Sequence, residues 1–234
     1  AADAPEPLRD LVAARGNAPV LRYLGGATPH LRRFFPDGSS QDVGYLTDKR
    51  GTAKGALPYY LLVAAGPEAV PWDVQYALGR LRAVGRLALE GEALARYVAA
   101  LLDDWRDDAA SARDAVVWST DHGAQDITRL MASVVARPIH AALAADDEIG
   151  AGAVALAAEA ASAAALVDAL AAHRPALVVT SSHGQTGPLD DPAAMAAALG
   201  LPIDGQGQAV DAAALLAGWS PGGAIWFAQA CCSA

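Results

Sequence analysis

From Asp114 onward the chain alternates short apolar runs with stretches of helical periodicity, and this alternation constrains the fold more than any other feature. Ala115–Ser119, Ala153–Ala157, Ala176–Thr180 and Ala224–Ala228 read as strands. Between the first two, Asp126 to Leu143 reads as a helix with Ile127, Leu130, Met131, Val134 and Val135 expected to face inward. Ser162 to Ala172 reads as a second helix with Ser162 as its N-cap, and residues 192–200 and 210–217 read as two more. Uninterrupted apolar strands separated by helices predict a parallel sheet covered on both faces. In such sheets the working residues sit just past the carboxyl ends of the strands.

The first half is less regular. A short helix is expected over Pro7 to Ala14, turns at Gly25-Gly26 and Pro36-Asp37-Gly38, and an exposed loop over Thr47 to Gly55. Tyr59–Ala65 reads as a buried strand closed by Gly66-Pro67, and residues 90–107 as a helix bearing Leu94, Tyr97, Val98, Leu101, Leu102 and Trp105. The acidic run Asp103-Asp104 and Asp107-Asp108, followed by Ser111, marks a boundary. The expected organisation is a smaller α/β subdomain over 1–112 and a second subdomain over 113–234.

With 234 residues the chain is long enough for one large α/β domain or two small ones, each with a core. Seventeen basic against 26 acidic residues give a formal charge of −9, the wrong sign for nucleic acid or an anionic membrane surface as principal partner. The longest apolar stretches are broken by Asp, Glu or His, so no membrane span is expected. The N-terminus, Ala1-Ala-Asp-Ala-Pro, has no basic region followed by an apolar core, so no signal peptide is read there. The only two cysteines, Cys231 and Cys232, are adjacent, a geometry that disfavours a disulfide between them. Free thiols suit a reducing compartment, and the expected location is the cytoplasm.

Two strands run into reactive side chains. Strand 176–180 continues into Ser181-Ser182-His183-Gly184, and strand 224–228 into Gln229-Ala230-Cys231-Cys232. As neighbours in a parallel sheet they bring His183 and the cysteines to one edge. A thiol needs a base or cation beside it to become a thiolate near neutral pH, and histidine is the usual choice. Gly184, lacking a side chain, allows its N–H to approach a reacting carbonyl and serve as an oxyanion donor. The ordinary roles of these residues are a buried core cysteine and a turn histidine; their conjunction at matched strand ends is what singles them out.

The pattern of apolar strand, Ser-His-Gly, about fifty residues, apolar strand and Ala-Cys resembles the superfamily of caspases, gingipains, legumains, separases and CHAT-domain peptidases. His183 and Cys231 stand 48 positions apart, and Gln229-Ala230-Cys231 is similar to the local caspase signature. Upstream, Tyr59–Pro71, then Ala83-Val-Gly-Arg-Leu87 and a helix through Tyr97, resembles the first subdomain of gingipain-type peptidases. The resemblance implies a caspase-haemoglobinase-like three-layer sandwich with a mostly parallel central sheet. It implies a cysteine endopeptidase in which Cys231 attacks, His183 shuttles the proton and Gly184 N–H holds the oxyanion, with no metal or organic cofactor. Ala230 gives Cys231 the place of the nucleophile, and Cys232 is the alternative. The expected partner is a protein or peptide substrate. The family fold carries one or two further strands after the nucleophile, so a missing C-terminal portion or a second chain is expected to complete it.

His122-Gly123, after the first strand of the second half, is the rival base. Its 109-residue separation from Cys231 does not suit the family, but it shares the sheet edge and can line the cleft. His30, His140 and His173 have no ligand-spaced partners and read as structural or surface residues. Gly187 and Asp204-Gly-Gln-Gly207 form loops without a phosphate-binding pattern. Between base and nucleophile lie Asp190, Asp191 and Asp204; one of them could receive a basic substrate side chain, although Asp190-Asp191-Pro192 reads more simply as a helix start. The substrate-binding residues stay unassigned. Two other functions remain open on these residues: a catalytically inactive scaffold of the same fold, and a small-molecule-binding doubly wound domain.

Overall fold

A computed structural model describes residues 3–26, 29–106 and 109–233. The chain forms two compact units, Ala1–Arg106 and Asp107–Ala234.

The first unit begins with helix α1 (Glu6–Ala14), started by Pro5 and Pro7. Strands β1 (Leu21–Arg22), β2 (His30–Phe34) and β3 (Ser40–Gly44) form an antiparallel sheet, in which β2 and β3 make a hairpin closed at the expected Pro36-Asp37-Gly38 turn. The Asp37 carboxylate accepts from the Ser39 N–H and hydroxyl, and Gly38 takes the positive φ such a turn requires. Strand β4 (Tyr60–Val63), helix α2 (Trp72–Gly79) and strand β5 (Ala83–Arg86) form a βαβ unit with the two strands parallel. Arg86 ties this unit together: it donates to Gln75 Oε1 (2.8 Å), Ala65 O (2.9 Å) and Val70 O (2.8 Å) and stacks over Trp72. Helix α3 (Gly91–Leu102) packs Leu94 and Val98 against Leu11 and Leu87.

Two expectations need correction here. β4 is not a buried strand: with only β5 beside it, Tyr60 and Leu62 point away from the core and are exposed. The helix expected over 90–107 stops at Leu102, because Asp104 and Trp105 adopt left-handed backbone conformations; Trp105 meets Tyr97 edge-on instead of extending the helical face.

The second unit is built on a four-stranded parallel sheet in the order β7-β6-β8-β9, with β6 at Ser111–Ser119, β7 at Ala153–Ala157, β8 at Pro175–Ser181 and β9 at Ile225–Gln229. The helical run after β6 comprises α4 (Ile127–Met131), one π-helical segment (Ala132–Ala136) and α5 (Arg137–Ala144). Helix α6 (Ala163–His173) precedes β8, and α7 (Pro192–Ala198) and α8 (Ala212–Gly218) lie between β8 and β9. As expected, Ser162 caps α6 by accepting from Ala165 N–H.

Side-chain alternation assigns the layers. Val116, Trp118 and Val178 face α6 and α8 through Leu166, Leu170, Leu215 and Trp219. Val117 and Val179 face the opposite helical run through Ala136, Ile139 and Leu143. Ile127, Leu130 and Val134, expected to face inward, are instead more than half exposed, because the π-helical segment Ala132–Ala136 shifts the helical phase and turns Ile139 and Leu143 to the sheet. The unit is therefore α/β, with helices on both faces of the centre of the sheet. Coverage fails at the edge strand: on β9, Ile225 is 68% and Phe227 52% exposed, so the expectation of a sheet covered throughout holds for β6 and β8 and not for β9.

Candidate functional site

The three strand ends are in register. Ser119, Ser181 and Gln229 pair across β6, β8 and β9. The ladder continues beyond them, with Thr120 N–H donating to Ser181 O and Ser182 N–H to Gln229 O. The segments carrying His122, His183 and Cys231 therefore leave one edge of the sheet side by side. Their roots are buried hydroxyls: Ser181 donates to Gln229 Oε1 and Thr180 accepts from Trp226 Nε1.

His183 faces a carboxylate. Its Nε2 lies 3.0 Å from Asp126 Oδ2. Asp126 is the N-cap of α4, and its Oδ1 accepts from the hydroxyl of Thr128 at 2.6 Å and the backbone N–H of Thr128 at 2.8 Å. Those two donors, with His183 as the third, hold the carboxyl well below the usual aspartate range against the opposing effect of burial. An ionised carboxylate only accepts, so neutral His183 carries its proton on Nε2 and leaves Nδ1 as the nitrogen free to take one. Asp126 enters the sequence reading only as a helix start. The signal that could have found it is an acidic N-cap beside a strand end on the edge that holds His183, since a histidine acting as a base would need a group to orient it.

His122 does join this edge. Its ring centroid is 5.4 Å from that of His183, and its Nε2 is buried without a hydrogen-bond partner.

The cysteines are positioned through their backbone. A Cβ at Gly184 would overlap Cys231 O, and one at Gly200 would overlap Cys232 O. The two glycines thus let the loop after β8 close on the Cys231–Cys232 turn, and at Gly200 a positive φ adds a second requirement for glycine. Gly184 itself is buried and its N–H makes no backbone hydrogen bond among the described residues. Both cysteines are exposed free thiols, and Cys232 has a left-handed backbone (φ +57°). Among the described residues no hydrogen bond joins either thiol to His183; the histidine's partner is Asp126.

Of the loop carboxylates, Asp191 caps α7 by accepting from Ala193 and Ala194 N–H, as the helix-start reading expects. Asp204 is buried. Burial alone would raise its pKa, but N–H donors from Gln208, Ala163 and Gln206 hold it below the usual range, with a further contribution from the charge of His122. Its oxygens are engaged with backbone, so it braces the loop against α6 and offers no open acidic pocket. An open polar depression of about 430 Å³ lies beside Asp126, lined by Asp121, Arg129, Ser133 and Arg137 among others.

The remaining histidines lie apart. His30 is 3.1 Å from Asp42, His140 meets Ala153 O at 3.3 Å, and His173 is 3.9 Å from Asp114. No group of three or more His, Cys, Asp or Glu side chains suited to a metal ion occurs among the described residues. Among them, too, no helix is long and apolar enough to cross a membrane. The chain matches no protein-family model, no curated protein and no solved structure.

Proposed function

We propose that the second unit is a cysteine endopeptidase domain with a caspase-haemoglobinase-like three-layer sandwich, in which His183 is the base and Cys231 the nucleophile. The observation that carries this reading is the Asp126–His183 pair at the sheet edge where the backbone of Gly184 packs on that of Cys231. A base oriented by a third group and set beside a thiol-bearing turn is the arrangement nucleophilic catalysis requires.

In the reaction, Nδ1 of His183 takes the thiol proton as Cys231 Sγ forms a bond to the scissile carbonyl carbon. The oxyanion is held by backbone N–H groups, that of Gly184 among them. Collapse breaks the C–N bond, and the same proton passes from His183 to the leaving amine, giving a thioester. Water, deprotonated by His183, hydrolyses the thioester and regenerates the thiol. Asp126 stabilises the imidazolium formed in each half. The chemistry uses no metal or organic cofactor, and the substrate is a protein or peptide. Exposed free thiols belong in a reducing compartment, so the same reading assigns the protein to the cytoplasm. β9 ends the sheet order with an unpaired edge, which supports a further strand, from a second chain or a C-terminal fragment, completing the sandwich.

Iodoacetamide labelling at neutral pH, read at each cysteine by mass spectrometry, tests the assignment. Cys231 should react roughly ten-fold faster than an ordinary thiol. His183→Ala should abolish the excess, and Cys231→Ala should abolish peptide hydrolysis. Asp126→Asn keeps the helix cap, because asparagine caps as well as aspartate, but turns an N–H donor toward Nε2 and forces the wrong tautomer. It should therefore slow labelling while leaving the fold intact. The lack of a thiol–His183 hydrogen bond favours the second reading, an inactive scaffold; equal and slow labelling of both cysteines, unaffected by His183→Ala, would select it.

A further inference from the structure

We propose that Thr128 is a positioning residue for His183, setting the base through two routes at once. Thr128 is 2% exposed, and its single hydroxyl is used in both directions. Its proton goes to Asp126 Oδ1 (2.6 Å), and its oxygen accepts the backbone N–H of His122 (3.0 Å). The first bond, with the Thr128 N–H on the same oxygen, fixes the plane of the carboxylate and leaves Oδ2 to His183 Nε2. The second fixes the backbone from which the His122 ring reaches to 5.4 Å of the His183 ring. One buried hydroxyl thus holds the carboxylate that bonds the imidazole and the ring that packs on it.

Helix capping does not account for this. The other capping aspartates, Asp191 and Asp211, accept only backbone N–H groups, and the Thr128 N–H already satisfies that need at Asp126. The hydroxyl bond is additional, and among the described helix-capping aspartates it lands on the one that faces a histidine. Groups that lock the orientation of a catalytic side chain from behind act through geometry, and a misplacement of about 1 Å can cost on the order of a hundred-fold in rate.

The catalytic arm of this inference rests on the peptidase reading; the structural arm does not. Thr128→Val keeps the shape and removes the hydroxyl, whereas Thr128→Ser keeps the hydroxyl and removes the methyl. Imidazole nitrogen NMR of the full chain should show His183 as the Nε2–H tautomer in the wild type and the serine variant, and as a mixture of tautomers in the valine variant. Where peptide hydrolysis is measured, the valine variant should lose kcat by roughly ten- to a hundred-fold with KM little changed, and serine should restore it. A packing role predicts the reverse ranking, and a valine variant with the wild-type tautomer overturns the proposal. If the valine variant does not fold, the serine variant decides: loss of the Nε2–H signal there overturns it, and retention supports it. A wild type that cleaves no peptide, with the tautomer change present in the valine variant, removes the peptidase reading and leaves the positioning role; unchanged kcat in a folded valine variant does the opposite.

Discussion

Strands β6 and β8 in the second unit and β4 and β5 in the first are both parallel pairs of apolar sequence, yet they live in different surroundings. Val116, Trp118 and Val178 are completely buried, whereas Tyr60 is 79% and Leu62 48% exposed. The central pair has a strand on each outer side and helices on both faces; β4 and β5 have only each other and one packed face. An apolar run can form a strand in either place. What decides its burial is how many layers reach it, which depends on segments far away in the chain.

The largest test of this contrast is Trp118→Ala. It removes a fully buried indole from between α6 and the sheet, together with its hydrogen bond to Ser162 O, and should cost about 3–5 kcal/mol in denaturant unfolding. Leu62→Ala, on the exposed side of β4, should cost less than about 1 kcal/mol. Similar losses at the two positions would show that the two pairs are equally buried in solution and break the comparison.

A smaller effect compares two glycines. A methyl at Gly184 overlaps the Cys231 carbonyl, so Gly184→Ala should cost roughly 1–3 kcal/mol and disturb cysteine labelling as the turn is displaced. At Gly85 in β5 the nearest atom to an added Cβ is Leu62 Cδ1 at 4.0 Å, so Gly85→Ala should be near neutral in melting temperature and leave labelling unchanged. Unaltered labelling in Gly184→Ala would separate the cysteine turn from the end of β8.

The smallest effect is in acid. Asp126 and Asp204 titrate below the ordinary aspartate value of 3.8 in the folded protein, so each contributes stability that is complete above that value and is lost as pH falls through its lowered folded value. The stability difference between wild type and Asp126→Asn should therefore shrink as the pH drops below about 4 toward the lowered folded value. The indole N–H NMR signals of Trp118, Trp219 and Trp226, which lie in one core, read this in the second unit during acid titration. A difference that persists unchanged at low pH would show that Asp126 acts there through shape and not through its charge.

Much of this was legible locally. The four strands of the second unit, the long helix after β6, the Ser162 cap and the helix start at Asp191 all follow from periodicity and capping chemistry, which act over a few residues. The shared edge of His183 and Cys231 also followed, because a parallel sheet places the ends of all its strands on one side. The hairpin of β2 and β3 was visible only as its turn: His30–Phe34 carries two arginines and no clean alternation of apolar residues.

The amino-acid sequence alone therefore determined the alternation of elements and which strand ends carry reactive side chains. Tertiary structure alone decided that Asp126, 57 residues from His183, is its partner, that Gly184 and Gly200 make room for the cysteine backbone, and that β4 and β9 leave apolar side chains in the open. The reason is one of range. Periodicity and caps are set by neighbours along the chain, whereas the orientation of an imidazole, a backbone approach and the covering of a strand depend on contacts that exist only once distant segments have packed.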